Sequence, residues 1–379
     1  MKVAQSIWTP AEGWPVAPAG GDMPEANLVL VFGSPSALTQ ATTLPALQHR
    51  YPAARLIGCS TAGEICGPHV YDDTLVATAI HFEHTAVRTA GVDIADASGS
   101  RQAGRQLADR LAGPDLAHVL VFSDGLDVNG SALVDGLVEG LPEGVTVTGG
   151  LSADGERFRN TLVVHQREVR RRLIAGVGLY GRRLKVGFGS LGGWDPFGPD
   201  RIITRSAGNV LYELDGKSVL ALYRSYLGDY ARDLPASGLL FPLLVRTSDA
   251  DPGVVRTILG MDETFQSLTF AGDVPQGARA RLMKANFDRL IDGATGAARV
   301  NLEALGQRPP ELALLISCVG RKLVLRQRTE EEVEAVRDVL GADTILAGFY
   351  SYGEISPFTP KARCELHNQT MTITTFRES

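Results

Sequence analysis

Two distant stretches of the chain share one pattern: Leu56–Ile65 reads LIGCSTAGEI and Leu346–Ile355 reads LAGFYSYGEI. In both, a glycine follows a short apolar run, a second glycine stands five positions later, and Glu-Ile comes next. An apolar run and a helix-like segment precede each copy, and a strand-like segment follows it, at 73–78 and at 368–373. This internal duplication predicts two related halves, each with a Gly-rich, hydroxyl-lined loop at the end of a strand.

A looser copy of the pattern lies between these two. It begins with LVFSDG (Leu120–Gly125), continues with GLSADG (Gly150–Gly155) and reaches the strand-like NTLVV (Asn160–Val164). Its glycines and hydroxyls fall in a similar order, but the Glu-Ile pair is absent. We therefore interpret it as a weaker relative of the other two copies.

Short, fully apolar strands that alternate with helices are typical of sheets covered on both faces. We predict an α/β fold of two related halves, each a mixed β-sheet flanked by helices. We expect an N-terminal extension over 1–26 and domains over 27–215 and 216–379. The Gly/Pro-dense segment 189–201 predicts a loop in the first half, and 277–290 predicts a helix in the second.

The composition is that of an ordinary globular protein, with 379 residues, 44% hydrophobic and 21% charged. The 37 basic and 43 acidic residues give a net charge of −6, which argues against a nucleic-acid binder. Four cysteines without a C-x-x-C pair indicate neither a disulfide scaffold nor a cysteine zinc site. Met1–Trp14 has no apolar core of a signal peptide, and no run reaches the roughly 20 apolar residues of a membrane span. We expect a cytoplasmic protein without membrane insertion.

The glycines of the repeated loops have a physical use at a strand end. They let backbone N–H groups approach a ligand, and ligands of open α/β sheets bind at the carboxyl ends of strands. Glu64 and Glu354 would repel a phosphate, and both loops lack the Gly-Lys-Ser/Thr of a P-loop. The loops therefore suit an amine or another hydrogen-bond donor. The alternative is a tight turn in which each carboxylate caps backbone N–H groups.

On this interpretation the candidate ligand contacts come from both loops and from the segment after the second. They are Gly58, Ser60, Thr61, Gly63, Glu64, Tyr350, Ser351, Tyr352, Gly353, Glu354 and Asn368. Whether the two loops share one pocket is left open by the sequence.

An enzyme is the less favoured alternative. Asp124 and Asp127 follow an apolar strand, as in some metal or phosphoryl-transfer sites, but a helix N-cap or a loop stabiliser is the better explanation for one of them. The G-x-S-x-G elbow of a nucleophilic serine is absent. We predict that the protein is not an enzyme.

Two histidines are candidates for binding haem iron. His69 and His367 flank predicted strands, and one histidine in an apolar pocket is enough for an axial haem ligand. A hydrogen-bonded structural role is the alternative for each. The C-x-x-C-H motif of covalently attached haem is absent.

Several of these segments together resemble a known family. LIGCSTAGEI with the following DDTLVATA, and VTGGLSADGERFRNTLV, resemble the N-terminal FIST sensory domain. GWDPFGPDR, GNVLYELDGKSVLALYRSYLG, and GFYSYGEISP followed by CELHNQTMT resemble the C-terminal FIST domain. The motifs agree in order and spacing over residues 27–376.

This resemblance implies an intracellular bacterial ligand-sensing module of signal transduction that is not an enzyme. Such proteins stand beside histidine kinases, diguanylate cyclases and chemotaxis components, and amino acids have been proposed as ligands. A stand-alone branch of nitric-oxide-sensing haem proteins binds haem and regulates a partner histidine kinase. Our leading hypothesis is a small-ligand sensor, with haem-based nitric oxide sensing as one form of it, that signals to a histidine kinase or another signalling protein. The alternative is a sensor of an amino acid or another small metabolite.

Overall fold

The computed structural model describes residues 1–15, 17–249, 251, 253–358 and 362–379. Within these residues the chain forms three six-stranded sheets and one eight-stranded sheet, with helices packed against them. The prediction of a mixed α/β fold is confirmed.

The elements follow one another in three blocks, with one insertion. The first block comprises β1 (Lys2–Trp8), β2 (Leu28–Gly33), α1 (Pro35–Leu38), α2 (Thr43–Arg50), β3 (Arg55–Ser60), β4 (Glu64–Cys66), β5 (His69–Tyr71), β6 (Leu75–His81) and β7 (Ala86–Asp93). The second comprises α3 (Ser100–Leu111), β8 (Leu116–Ser123), α4 (Gly130–Gly140), β9 (Thr146–Leu151), β10 (Val163–His165), β11 (Glu168–Arg170), β12 (Leu173–Tyr180) and β13 (Leu184–Leu191).

The insertion and the third block complete the chain. The insertion comprises β14 (Asp195–Ala207), β15 (Val210–Leu214), β16 (Lys217–Ser218), α5 (Val219–Leu227), β17 (Leu243–Arg246), β18 (Val254–Arg256), β19 (Ile258–Asp262), β20 (Ser267–Phe270) and β21 (Arg279–Lys284). The third block comprises α6 (Phe287–Ala304), β22 (Leu312–Cys318), α7 (Val319–Leu325), α8 (Thr329–Leu340), β23 (Ile345–Ser351), β24 (Gly353–Pro357), β25 (Cys364–His367) and β26 (Met371–Glu378).

Each block builds the centre of one six-stranded sheet on the same plan. Two parallel strands joined through a helical segment lie beside one antiparallel strand: β2 and β3 with β6, β8 and β9 with β12, and β22 and β23 with β26. The predicted duplication is thus present, and the looser copy forms a third repeat.

A hairpin leaves each repeat and completes the sheet of another. β4 and β5 follow β3 but pair onto β23, β24 and β25 follow β23 but pair onto β9, and β10 and β11 follow β9 but pair onto β3. This cyclic exchange binds the three repeats into one unit. It also places each predicted loop where the chain crosses from one sheet to the next.

The exchange corrects one detail of the sequence comparison. Asn160–Val164 was matched to the strand-like segment 73–78, but Val163 begins β10, the counterpart of β4. The true counterpart of β6 is β12, and β26 is the counterpart in the third repeat. A residue one or two positions before each of these strands has a positive φ: 57° at Asp73, 54° at Arg172 and 64° at Gln369.

A close approach of backbones recurs in every repeat. At one glycine in the second parallel strand, an added Cβ would lie 1.8–1.9 Å from a carbonyl oxygen of the first strand. These glycines are Gly58, Gly149 and Gly348, and the carbonyls belong to Val31, Val121 and Leu315. No larger residue fits there, which explains why glycine recurs in all three copies.

The sheets share a central aromatic core. Phe32 of β2 lies 5.5 Å from Phe122 of β8 and 4.6 Å from Phe349 of β23, measured between ring centroids, and all three rings are buried. Because each ring comes from a different sheet, burial of this cluster joins the three repeats by the hydrophobic effect.

The insertion forms a subdomain with its own sheet and its own core. Its strand order is β18-β17-β21-β14-β15-β20-β19, with β16 paired to β15, and its core includes Leu211, Ile258 and Phe270. The prediction of a helix at 277–290 is wrong over most of its length. Residues 279–284 pair with β14 and β17 because Ala280 and Leu282 alternate inward, and the helix begins only after Asn286, which caps it.

Two further predicted segments contain strands. The segment 189–201, predicted to be a loop, instead ends β13 and begins β14, so that its turn is only 192–194. Residues 1–26 contain β1, which pairs with β6 along its whole length. Among the described residues, no helix has the length and apolar character needed to cross a membrane.

Candidate ligand-binding site

The glutamate of the second loop lies at the crossing from β23 to β24 and is fully buried. One oxygen of Glu354 accepts a hydrogen bond from the Ser351 hydroxyl at 2.6 Å. The other accepts from the backbone N–H of Thr370 at 3.2 Å and from its hydroxyl at 3.0 Å. The carboxyl group therefore ties the loop to the start of β26.

The glutamate of the first loop has the same arrangement. Glu64 accepts a hydrogen bond from the Thr61 hydroxyl, and its second oxygen accepts from the backbone N–H and the hydroxyl of Thr74, at 3.3 and 2.6 Å. The two loops thus use their hydroxyls and acids to bind their own chain.

Burial sets the protonation of both glutamates. It raises the pKa of Glu64 to about 7 and that of Glu354 to about 8, although the hydroxyl and N–H donors act in the opposite direction. Both carboxyl groups are buried and already hydrogen-bonded, so neither is exposed at the surface to bind a ligand.

The remaining predicted contacts are buried and have protein partners too. The Ser60 hydroxyl accepts the N–H of Leu162 at 2.9 Å, and the Tyr350 hydroxyl donates to Glu332 at 2.7 Å. Asn368 donates to the carbonyl oxygen of Tyr352 at 3.1 Å. The structure therefore gathers the predicted residues into two buried clusters, one at each crossing.

Tyr352 connects the second loop to the looser copy. Its hydroxyl contacts the carboxylate of Asp154 and lies 2.9 Å from the carbonyl oxygen of Gly155, and its ring stacks on Phe158 at 4.7 Å. The second loop thus positions the segment 155–158, which reaches an open cavity.

This cavity has a volume of about 950 Å³ and lies where the repeats meet the inserted subdomain. Its walls come from the first loop and the turn after β5, from the loop after β9, from the short helical turns of the insertion, and from α7 and the start of α8. The lining residues are Ala62, Asp72, Gly155, Glu156, Arg157, Tyr230, Asp233, Leu234, Pro235, Ala236, Ser237, Leu240, Val319, Lys322, Leu323, Arg326 and Thr329.

Lys322 closes one wall of the cavity against the first loop. Its ammonium group donates to the carbonyl oxygen of Ala62 at 2.9 Å, forms an ion pair with Asp72, and lies 5.6 Å from the ring centroid of Tyr350. An added Cβ at Gly63, which has a φ of +137°, would lie 2.4 Å from this ammonium group. The second glycine of the first loop therefore makes room for Lys322.

The two loops consequently do not contribute equally to the cavity. The first loop lines it directly through Ala62, whereas the second is represented only through the contact of Tyr352 with Gly155. Of the predicted contacts, none is itself a lining residue, and their assignment as ligand contacts stays a prediction.

Sequence reasoning missed the residues that do line the cavity. Lys322 follows the apolar run of β22, so it stands at a strand end like the predicted loops, and this position was a usable signal. Ser237 and Asp233 lie in short helical turns of the insertion, and no pattern in the sequence brings them to the same place. Within the described residues, no group of three or more His, Cys, Asp or Glu side chains could hold a metal ion.

The other candidate residues have local partners. Asp124 accepts hydrogen bonds from the N–H groups of Leu126 and Asp127, both at 2.8 Å, and from that of Arg172 at 2.9 Å. Asp127 pairs with Arg171 and Arg172. Asp124 therefore stabilises the turn after β8, and Asp127 pairs with the segment before β12, whereas the N-cap of α4 is Asn129.

An open cavity of this size, formed by several chain segments and lined by apolar and charged side chains, is typical of a small-molecule binding protein. Comparison with known proteins gives the family. The model of the FIST N domain matches residues 27–217, and that of the FIST C domain matches residues 220–357. The chain belongs to the FIST family, whose domains are non-catalytic sensor domains of signal transduction.

Relatives occur in bacteria and archaea. The uncharacterized protein Rv0628c of Mycobacterium tuberculosis H37Rv is 30% identical over 342 residues, which cover 87% of this chain and 86% of that protein. The uncharacterized protein MJ1623 of Methanocaldococcus jannaschii is 22% identical over 315 residues, 76% of this chain and 59% of that protein.

Proposed function

We propose that this protein senses a small metabolite, which binds in the cavity beside the first glycine loop, and passes the signal to a histidine kinase or another signalling protein. The observation that carries the proposal is the composition of the cavity walls. Side chains from the three repeats and from the inserted subdomain meet around one space. A ligand there contacts all of them and can favour one relative arrangement over another.

The size and lining of the cavity support a small polar ligand. Binding pockets for small molecules commonly have volumes of about 300–1,000 Å³ with a few polar groups on an apolar wall. Here Leu234, Leu240, Val319 and Leu323 supply apolar surface, and charged groups lie between them. An amino acid or a metabolite of similar size suits this combination.

Haem-based sensing of nitric oxide is less well supported by the two candidate histidines. His367 is 2% exposed, its Nε2–H donates to the carbonyl oxygen of Ser356 at 2.7 Å, and its ring packs edge-on against Phe358. Burial lowers the pKa of His367 to about 4. His69 lies at the surface, 3.3 Å from Glu330. Neither lines the cavity, so these residues do not fit haem.

The proposal is tested by thermal shift across a panel of amino acids and other small metabolites. A ligand at 100 times its Kd stabilises the folded state by about 2.7 kcal/mol, which raises the melting temperature measurably. In Ala62→Tyr the larger side chain occupies the cavity and the shift should be lost. Ala86→Tyr, on an exposed part of β7, serves as the control and should retain it.

Two results would contradict the proposal. One is a flat response of the wild-type protein to the whole panel, and the other is an equal shift in Ala62→Tyr. In the same preparation, an absorbance spectrum after haem addition decides the other hypothesis. A Soret band that moves when nitric oxide is added to the ferrous protein and disappears in His367→Ala would restore it.

A further inference from the structure

Two guanidinium groups in the cavity wall have no hydrogen-bond or ion-pair partner among the described residues. Arg157 lies in the loop after β9, and Arg326 follows α7; both line the cavity. Neither side chain has a hydrogen bond or an ion pair with another described residue, although Arg321 and Arg328, close to Arg326 in the chain, both have such partners. Arg157 and Arg326 are therefore available to a ligand.

The loop that carries Arg157 is held in place by the third repeat. The Arg157 guanidinium lies over Gly155, with its atoms 3.7–3.8 Å from the position of an added Cβ there. Gly155 is itself fixed by the contact of its carbonyl oxygen with Tyr352. Arg157 thus stands on a loop that the second repeat and the third repeat hold together.

The acids of the same cavity do not neutralise these arginines. Asp72 pairs with Lys322, and neither Glu156 nor Asp233 lies within ion-pair distance of Arg157 or Arg326. No described acid therefore forms an ion pair with either guanidinium group. Guanidinium groups bind carboxylate and phosphate oxygens in a two-pronged geometry, and such charge-assisted hydrogen bonds are stronger than neutral ones.

We propose that the ligand is a small organic anion, held through a carboxylate or phosphate group by Arg157 and Arg326. This inference rests on the proposed function and narrows it to a ligand class. Anchoring by Arg157 and Arg326 joins the second repeat to the third across the cavity. Binding of the anion therefore couples the two repeats.

Thermal shift and calorimetry with defined probes test the ligand class. The anionic probes are succinate, citrate, glycerol 3-phosphate and inorganic phosphate, and the neutral counterparts are succinamide and glycerol. We expect at least one anion, and neither neutral compound, to stabilise the wild-type protein. Comparison of the carboxylates with the phosphates shows which group the arginines prefer.

The variants assign that binding to the arginines. Arg157→Gln and Arg326→Gln should each weaken binding of the active anion by about tenfold to a hundredfold, the loss of a hydrogen-bonded charge. Arg308→Gln, an exposed arginine outside the cavity without a described partner, should bind as the wild type does. Asp233→Asn should bind the anion equally well or more tightly because a negative charge is removed.

The inference is overturned if no anion binds, if the neutral counterparts bind equally well, if both arginine variants keep wild-type affinity, or if Asp233→Asn weakens binding. Its failure is distinguishable from failure of the proposed function. A neutral or cationic metabolite that shifts the wild-type melting temperature but not that of Ala62→Tyr would leave the cavity as the sensing site and remove only the anionic class.

Discussion

Replacement of Glu354 by glutamine should change how the stability of the protein depends on pH. Glu354 is fully buried at the crossing from β23 to β24, and burial raises its pKa from 4.5 to about 8. Glutamine has the shape of the protonated carboxyl group and cannot ionise. The variant therefore removes the titration while keeping an oxygen that accepts hydrogen bonds from Ser351 or Thr370.

The sign of the effect follows from the two pKa values. Between about pH 4.5 and pH 8 the unfolded chain has lost this proton and the folded protein retains it, so the free energy of unfolding falls as pH rises. The stability is fully present below pH 4.5 and is lost as pH rises through 8. At about 1.4 kcal/mol per pH unit, the loss between pH 5 and pH 8 is about 3–4 kcal/mol.

Urea unfolding at several pH values between 5 and 8.5 measures this loss. The difference in unfolding free energy between Glu354→Gln and the wild type should shift in favour of the variant by about 3–4 kcal/mol across this range. Glu334→Gln, at an exposed position of α8, is the matched control. If Glu354→Gln and the wild type keep parallel pH profiles, the buried carboxyl group does not titrate in this range and our account of the loop is refuted.

Two further predictions concern the fold that positions the cavity. Gly348→Ala would place a Cβ 1.8 Å from the carbonyl oxygen of Leu315, and urea unfolding should show a loss of about 3 kcal/mol in the free energy of unfolding. The control Gly144→Ala, where nothing lies within 4 Å, should lose about 1 kcal/mol, and equal losses would contradict this prediction. Glu332→Ala would leave the fully buried Arg321 without its carboxylate partner and should lower the free energy of unfolding by about 3–5 kcal/mol. Replacing both residues by apolar ones should recover part of this loss, and a double variant no more stable than the single one would count against the prediction.

The repeats could be predicted from the sequence because their glycines have a local cause. A strand position where a neighbouring carbonyl leaves no room for a Cβ accepts only glycine, so Gly58 and Gly348 mark the same place in two copies. Helix α8 and strand β22 were equally readable, since their apolar spacing is regular and uninterrupted.

The exchange of hairpins could not be predicted in the same way. Glu64–Cys66 and Gly353–Pro357 are short strands whose partners lie far away in the chain, and local sequence does not specify a distant partner. The segment 277–290 was misread because a strand and the start of a helix adjoin there, and the cap at Asn286 divides them.

The predicted site illustrates a similar limit. Hydroxyls and acids at a strand end can face a ligand or one another, and the residue types are the same in both cases. Here the side chains bind one another. Glu64 accepts hydrogen bonds from Thr61 and Thr74, and Glu354 accepts them from Ser351 and Thr370. Only the packing of the finished fold decides between them.

The position of the cavity follows from a difference between the repeats rather than from what they share. Ala62 and Tyr352 occupy the same place in the two matching motifs. Tyr352 is fully buried, stacks on Phe158 and occupies its corner of the fold. Ala62, with its single methyl group, leaves its corner open, and Lys322 reaches its carbonyl oxygen across the gap. Because this methyl group does not fill the cavity and Tyr352 shows that a tyrosine is accepted at the matching position, Ala62→Tyr is the most direct test of the proposed site.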